Sequence, residues 1–171
     1  MQLLLRLIDR LCLWGAWAAA LACLALSGML IVEISAIALF KVSQRYVVEY
    51  SAYLTGMVLF AGAGWALTEG AQIRVGLILH HLGDAARRWL DLVCALFGLW
   101  TVGMLCWGFI DLTYRSWMQG SRSSMSMQTP LVWPQGALTL CVLLLELALL
   151  ARTLRLLCNL PVSKDLEEEV A

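Results

Sequence analysis

Charged residues are scarce in this chain of 171 residues, and their scarcity excludes most classes of soluble protein. Lysine, arginine, aspartate and glutamate make up 14% of the sequence, while hydrophobic residues make up 61% and the mean hydropathy is +0.80. Ordinary soluble domains contain about 25% charged and about 45–50% apolar residues. The formal net charge is zero, so the sequence indicates no nucleic-acid partner. The composition predicts an integral membrane protein whose surface contacts membrane lipids.

Histidine is rarer still, which excludes a haem held by the protein. His80 and His81 are the only two histidines, and they are adjacent and outside the long apolar runs. Haem in a membrane bundle needs imidazoles on facing helices. No group of histidines, cysteines and carboxylates has metal-ligand spacing, and no nucleophile–base pair or phosphate loop is present. The sequence therefore predicts no catalytic residue, no metal ion and no cofactor.

The six cysteines form no C-x-x-C pair, and five of them lie inside apolar runs. Small apolar residues of this kind usually serve packing. We therefore expect no redox or metal role for the following residues: Cys12, Cys23, Cys94, Cys106, Cys141 and Cys158.

Four apolar runs are each long enough to cross a bilayer as a helix. A hydrocarbon core of about 30 Å needs about 20 helical residues, and the runs lack the alternation of barrel strands. The sequence therefore predicts an all-α fold, that of an integral membrane protein. Residues 1–160 are predicted to form one domain of four transmembrane helices, and residues 161–171 a flexible cytoplasmic tail. The predicted spans are residues 11–40, 47–68, 89–111 and 131–153.

The connection between the second and third spans has a helical pattern of its own. Apolar residues recur with the i, i+3, i+4, i+7 spacing of one helical face from Val75 to Leu82. This predicts an interfacial amphipathic helix over about residues 72–83.

Basic residues predict the orientation. Eight of the twelve lie in the two termini and the 69–91 connection, and four lie on the other side. The positive-inside rule then places both termini in the cytoplasm. A cleaved signal is the alternative for the N-terminus, because Arg6 and Arg10 precede an apolar stretch and Ala20 to Cys23 loosely matches a lipoprotein cleavage site.

Two acids lie within apolar sequence. Intramembrane ionisable groups are costly and are functional candidates by default. Glu33 lies roughly 33 Å along the helix from Leu11 at 1.5 Å per residue, which places it near the outer headgroups. Glu146 lies deep in the fourth span. Structural pairing, a protonated state, and ion or proton coupling all remain open for Glu146.

The second span carries small residues at intervals of four. Small-x-x-x-small spacing lets helix backbones approach closely in a membrane. The pattern predicts a packing partner without showing whether that partner is another helix of this chain or another subunit. The residues are Ala52, Gly56, Gly62, Ala66 and Gly70.

The second span and its exit also resemble a known family, the small membrane subunit (DctQ-like small permease) of tripartite ATP-independent periplasmic (TRAP) transporters. The resemblance rests on Glu49, Tyr53-Leu54, Phe60, Gly62-Ala63, the exit E-G-A-Q-I-R-V over residues 69–75, and the proline–tryptophan entry to the last span over residues 130–134. The chain departs from the family pattern at Ile37, Val48 and Gln72, where an arginine, an acid and a histidine are usual.

The resemblance implies a scaffold subunit without enzymatic activity, in the cytoplasmic (inner) membrane of a bacterial or archaeal cell. Such a subunit forms a heterodimer with a large permease subunit, and a periplasmic solute-binding protein delivers an organic acid for sodium-coupled uptake. It further implies that Glu49, Glu69 and Arg74 act as polar anchors, and that the small residues of the second span, Gly70 included, are packing contacts at the partner-subunit interface.

Two other functions remain open from the residues alone. One is a membrane anchor for a quinone-linked oxidoreductase without haem. The other is a self-contained small carrier or channel with Glu146 lining its path.

Overall fold

Four long helices account for nearly all of the described structure. The computed structural model describes residues 2–70, 84–124 and 128–158. The helices are α1 (Gln2–Phe40), α2 (Arg45–Thr68), α3 (Asp84–Gln119) and α4 (Val132–Leu157). Each contains a segment that is long and apolar enough to span a membrane. The prediction of an all-α membrane protein with four transmembrane helices is therefore confirmed.

The helices extend beyond the predicted spans, most of all at α1 and α3. α1 has 39 residues and begins nine residues before the predicted span, and α3 has 36 residues and continues eight residues past its predicted end. The difference arises because the prediction followed uncharged runs. Leucine, arginine and glutamine are good helix formers and occur in both extensions, so each helix continues into the polar boundary of the membrane.

α4 lies at the centre of the bundle and contacts all three other helices. α1 packs on α2, α2 on α4, and α3 packs chiefly against α4, which makes α3 an edge helix. α2 and α4 run in the same direction, because Gly56 faces Leu138 while Gly64 faces Leu145. We call the end where α1 begins and α4 finishes the terminal end, and the opposite end the connector end.

Two clusters of mainly small side chains form the core. One lies toward the terminal end and joins α1, α2 and α4 through Leu5, Ile8, Cys12, Leu67, Ala148 and Ala151. The other lies nearer the middle and consists of Ala19, Ala61 and Cys141, with Met57 and Phe60 packed against it. Small residues allow close backbone approach, which is the main source of helix association in lipid.

The two connections at the connector end are short and hydrogen-bonded. After α1, the backbone N–H of Lys41 donates to the Ile37 carbonyl (3.0 Å), and Lys41 takes a left-handed φ of 54°. Between α3 and α4, the Leu131 N–H donates to the Ser121 carbonyl (3.1 Å) and the Ser123 N–H to the Thr129 carbonyl (2.9 Å). The predicted interfacial helix over 72–83 and the predicted tail over 161–171 lie outside the described residues.

Candidate functional site

Glu33 on α1 closes the turn that leads into α2. Its Oε1 accepts hydrogen bonds from the Ser43 hydroxyl (2.8 Å) and the Gln44 backbone N–H (3.0 Å), and the same N–H lies 3.1 Å from Oε2. Gln44 is the N-cap residue of α2, and its own side chain makes no capping bond. Helix N-termini carry backbone N–H groups without helical partners and favour a negative charge nearby. The Glu33 carboxylate therefore supplies, from α1, the cap that α2 lacks.

Glu49 on α2 faces the interior of its own bundle. The residue is only 4% exposed, and the Tyr53 hydroxyl donates to its Oε1 (3.2 Å). The second oxygen, Oε2, is buried and has no hydrogen-bond partner in the structure as described. Tyr53 also packs edge-on against Tyr50, with ring centroids 6.3 Å apart, and the Tyr50 hydroxyl lies 3.4 Å from Thr129 Oγ1. The resemblance implied a polar anchor at Glu49, and this geometry ties that acid to α2 and the α3–α4 connection.

Glu146 lies between α4 and the edge helix α3. A Cβ atom added at Gly103 would lie 3.3 Å from the Glu146 Oε1, so the missing side chain of Gly103 makes room for the carboxyl group. Oε2 is buried and receives no hydrogen bond from the described residues. Glu146 therefore differs from Glu33, whose carboxylate has donors on both oxygens.

The small residues of α2 form two groups: some pack against other helices of this chain, and others lie on or near the surface of the bundle. Gly56 faces Leu138 of α4, where an added Cβ would lie 2.7 Å from Leu138 Cδ2, and Gly62 faces Ala19 of α1 at 3.9 Å. Both glycines therefore pack within this chain. Ala52 is exposed on the bundle surface, and Ala66 is half-buried.

Gly64 was missed by the sequence reasoning although it makes the closest backbone approach. An added Cβ there would lie 3.5 Å from the Leu145 Cα and 3.6 Å from the Leu145 backbone nitrogen. Gly56 and Gly64 are eight residues apart, two steps of the small-residue period, but the position between them is Phe60. A search for small residues at every fourth position therefore passes over the pair.

The predicted anchors at the exit of α2 are only partly described. The Glu69 backbone N–H donates to the Trp65 carbonyl (3.1 Å), and Glu69 is half-buried. Gly70 follows with a φ of 72°, a left-handed conformation that glycine adopts without steric cost and that commonly ends a helix. Arg74 lies outside the described residues.

An ion pair at the terminal end was also missed. Arg155 Nη2 of α4 donates to Asp9 Oδ2 of α1 at 2.6 Å, and both side chains are largely buried. Asp9 stands between Arg6 and Arg10 in the sequence, which is a signal that it neutralises charge within a basic segment. Arg152, one helical turn before Arg155, is only 9% exposed and lines a cavity of about 90 Å³ with Asp91, Cys94 and Leu149 among its walls.

Tryptophan marks the membrane boundary except at Trp17, Trp100 and Trp107. Most of the exposed tryptophans lie toward the ends of the helices, where an amphipathic ring sits at the headgroups. Trp100 and Trp107 of α3 are instead in the middle of the span Trp89–Gln119 and are 64% and 76% exposed. α3 thus presents aromatic side chains to whatever covers it in the membrane.

No group of three or more histidine, cysteine or acidic side chains that could hold a metal ion occurs among residues 2–70, 84–124 and 128–158. The two histidines lie outside these residues. None of the six cysteines, all of which lie within the described residues, forms a disulfide, and Cys12, Cys106 and Cys141 are buried in the packing of the bundle.

Comparison with known proteins identifies a family for this arrangement. The model of the DctQ component of tripartite ATP-independent periplasmic transporters matches residues 26–159, which include α2, α3 and α4 in full and the acids Glu33, Glu49 and Glu146. No curated protein and no solved structure matches the chain. Because the match covers most of the sequence and its four helices are suited to a membrane, this chain belongs to the DctQ family and is a multi-pass membrane subunit of a TRAP transporter.

Proposed function

We propose that the chain is the stationary scaffold subunit of its transporter and forms a heterodimer with the large permease subunit. In this proposal the large subunit binds and moves the substrate, an organic acid taken up with sodium ions. A periplasmic solute-binding protein delivers that acid. The present chain supplies a fixed surface against which the moving parts travel, and it has no enzymatic activity.

The use of polar side chains is the observation that carries this proposal. Glu33 of α1 caps α2 and Asp9 of α1 binds Arg155 of α4, so these two acids hold helices to one another, while Glu49 binds Tyr53 within α2. A transport path requires polar groups that can exchange partners with a solute. The contacts of these three acids are those of structural supports, which favours a scaffold over a self-contained carrier.

The partner-facing surface follows from the division of the small residues. Gly56 and Gly62 are occupied within the bundle, whereas Ala52 lies on the exposed face of α2 with Thr55 and Leu59. We place the contact with the large permease on this face and on the exit of α2. Its members are Ala52, Ala66, Glu69, Gly70 and Arg74. Glu49, Gly56 and Gly62 act indirectly, because they fix the position of α2.

Orientation is part of the proposal. Arg6 and Arg10 of α1 and Arg152 and Arg155 of α4 lie at the terminal end. The positive-inside rule places that end in the cytoplasm. Exposed Cys158 should then react with a membrane-impermeant maleimide only after the cells are opened. In a background with serine at the other five cysteines, Ser123→Cys should react in intact cells with a permeable outer membrane, and the reverse pattern contradicts the orientation.

Co-purification tests the heterodimer. The chain, expressed with the large permease subunit of a TRAP transporter from the same organism, should leave a mild detergent extract bound to that subunit at one to one. Ala52→Trp should lose the partner while the isolated chain keeps its melting temperature. Ala20→Trp on the exposed face of α1 is the matched control and should retain the partner. Transport by the purified chain alone in vesicles would contradict the scaffold function.

A further inference from the structure

Glu146 has the deepest position in the membrane of the acids whose contacts are described. At 1.5 Å per residue it lies about 21 Å along α4 from Val132 and about 16 Å from Leu157. A hydrocarbon core is about 30 Å thick, so neither end of the helix brings the carboxyl group near the headgroups. Its side chain is half-buried between α4 and α3.

Among the described residues, no hydrogen-bond donor or cation binds the Glu146 carboxyl group. Its buried Oε2 accepts no hydrogen bond within the described structure, and its Oε1 lies beside the bare backbone of Gly103. The titratable group that faces it from α3 is the Cys106 thiol, which is itself buried. From α1, the Cys12 thiol contacts α4 at the Leu144 carbonyl oxygen (3.9 Å), and α2 presents Gly64 to Leu145 at this level.

Three other acids have the partners that a charged carboxylate needs, whereas Glu49 has one hydrogen bond, from Tyr53, and an Oε2 without a partner among the described residues. Glu33 receives hydrogen bonds on both oxygens, Asp9 binds Arg155 at 2.6 Å, and Asp111 binds Arg115 at 2.7 Å. An ionised carboxylate left in an apolar medium without such partners is so unfavourable that the group takes up a proton instead. Packing leaves Oε2 out of contact with solvent, so a proton is a counter-charge that this oxygen can take up without rearrangement of the helices.

We propose that Glu146 is an intramembrane proton-binding site, with its carboxyl group held neutral in the slot that Gly103 leaves between α3 and α4. The ligand is a proton, and no other co-reactant is needed. The neutral group joins α3 to α4 by contact alone. Ionisation would require water or a cation to enter this interface, and α3 would then separate from its main support in the bundle.

Infrared spectroscopy of the full chain in lipid bilayers tests the protonation state directly. The spectrum at neutral pH should contain the carbonyl-stretch band of a protonated carboxylic acid, and Glu146→Gln should lose it. Glu33→Gln is the matched control, because its donor-rich carboxylate should contribute only carboxylate bands. A difference spectrum in which Glu146→Gln loses carboxylate bands and no acid band would overturn the proposal.

Thermal stability gives an independent readout. Glu146→Gln keeps the size and neutrality of the acid form, so it should leave the melting temperature of the chain in detergent within about 2 °C of the original. Glu146→Arg places a guanidinium, which stays charged in proteins, in the same slot and should lower the melting temperature by more than about 5 °C. Equal losses in both variants would show that the native group is a charged partner and would overturn the proposal.

The half-exposed side chain also predicts a chemical modification. A protonated carboxyl group adds to a hydrophobic carbodiimide to give an O-acylisourea, which rearranges to an N-acylurea that retains the whole reagent. Mass spectrometry should find this adduct on the peptide that carries Glu146 and should not find it in Glu146→Gln. The partial exposure of Glu146 implies that a reagent dissolved in the lipid can reach it. If the infrared acid band is present and the peptide is still unmodified, this access is contradicted.

Discussion

Asp9 on the first helix and Arg155 on the last are joined by an ion pair of 2.6 Å across 146 residues of sequence. The pair lies where α1 and α4 meet at the terminal end, just beyond the apolar cluster of Leu5, Ile8 and Cys12. Arg155 also stands in the last turn of α4, where a positive charge interacts favourably with the helix dipole. One side chain thus serves both the end of α4 and its contact with α1.

We expect Asp9→Asn to lower the free energy of unfolding of the bundle by about 1–3 kcal/mol, since a largely buried guanidinium would lose its charged acceptor. Thermal or chemical unfolding in detergent measures the change. Asp111→Asn is the control, because its pair with Arg115 is exposed within one helix and should contribute about 0.5 kcal/mol or less. Equal effects of the two substitutions would show that burial does not increase the contribution of the Asp9–Arg155 pair to the free energy of unfolding.

Glu33→Ala should destabilise the start of α2 by about 2 kcal/mol, because the Gln44 N–H and the Ser43 hydroxyl lose a charged acceptor. Proteolysis or hydrogen exchange of residues 41–47 would detect the opened turn. Ser43→Ala removes one donor and leaves the backbone bonds to Glu33, so its effect should be about half as large. An intact turn in Glu33→Ala would disprove capping from α1.

Substitutions at Gly64 should separate helix propensity from packing. An alanine Cβ would lie 3.5 Å from the Leu145 Cα, an ordinary contact, so Gly64→Ala should be neutral or stabilise by up to about 1 kcal/mol. Gly64→Leu should cost about 1–3 kcal/mol, because it forces α2 away from α4. Gly28 of α1 has nothing within 4 Å of an added Cβ. Gly28→Leu should therefore leave the melting temperature unchanged, and a tolerated Gly64→Leu would refute the close approach.

Thr113 and Thr139 should couple α3 to α4. Their hydroxyl oxygens are 2.9 Å apart, and each also lies near a carbonyl one turn earlier in its own helix. Thr139 Oγ1 lies 3.4 Å from the Phe109 carbonyl of α3 as well, so two hydrogens serve four contacts. A double-mutant cycle with Thr113→Val and Thr139→Val should give a coupling energy of about 0.5–1.5 kcal/mol, the range of interhelical hydrogen bonds in membranes. Additive single effects would show that no hydrogen bond joins the two hydroxyl groups.

The four spans could be predicted from the sequence because the bilayer sets a minimum length for any crossing helix. Charged residues hid the true helix ends, since α1 begins at Gln2 and runs through Arg6, Asp9 and Arg10 without a break. The membrane sets a length for the apolar run, but it does not stop a helix at the first charge.

The partners of individual side chains could not be predicted, because they depend on how far one helix slides along another. The small-residue spacing of α2 identified Gly56 and Gly62 as packing positions, yet only the register shows that they face Leu138 and Ala19. Glu33 seemed isolated in sequence, while the fold brings it to Gln44, eleven residues on, across a turn. The roles of Ala52, Ala66 and Arg74 at a partner interface stay predictions.

The ion pair between Asp9 of α1 and Arg155 of α4 can form only after nearly the whole chain has been synthesised. Asp9 is synthesised early, and about 145 further residues must leave the ribosome before its counterpart exists. During that interval Asp9 lacks its partner on α4, and α4, the helix that contacts all the others, has not yet been made. The bundle can therefore be completed only at the end of translation. A chain that ends before Arg155 would lack the ion pair that joins α1 to α4.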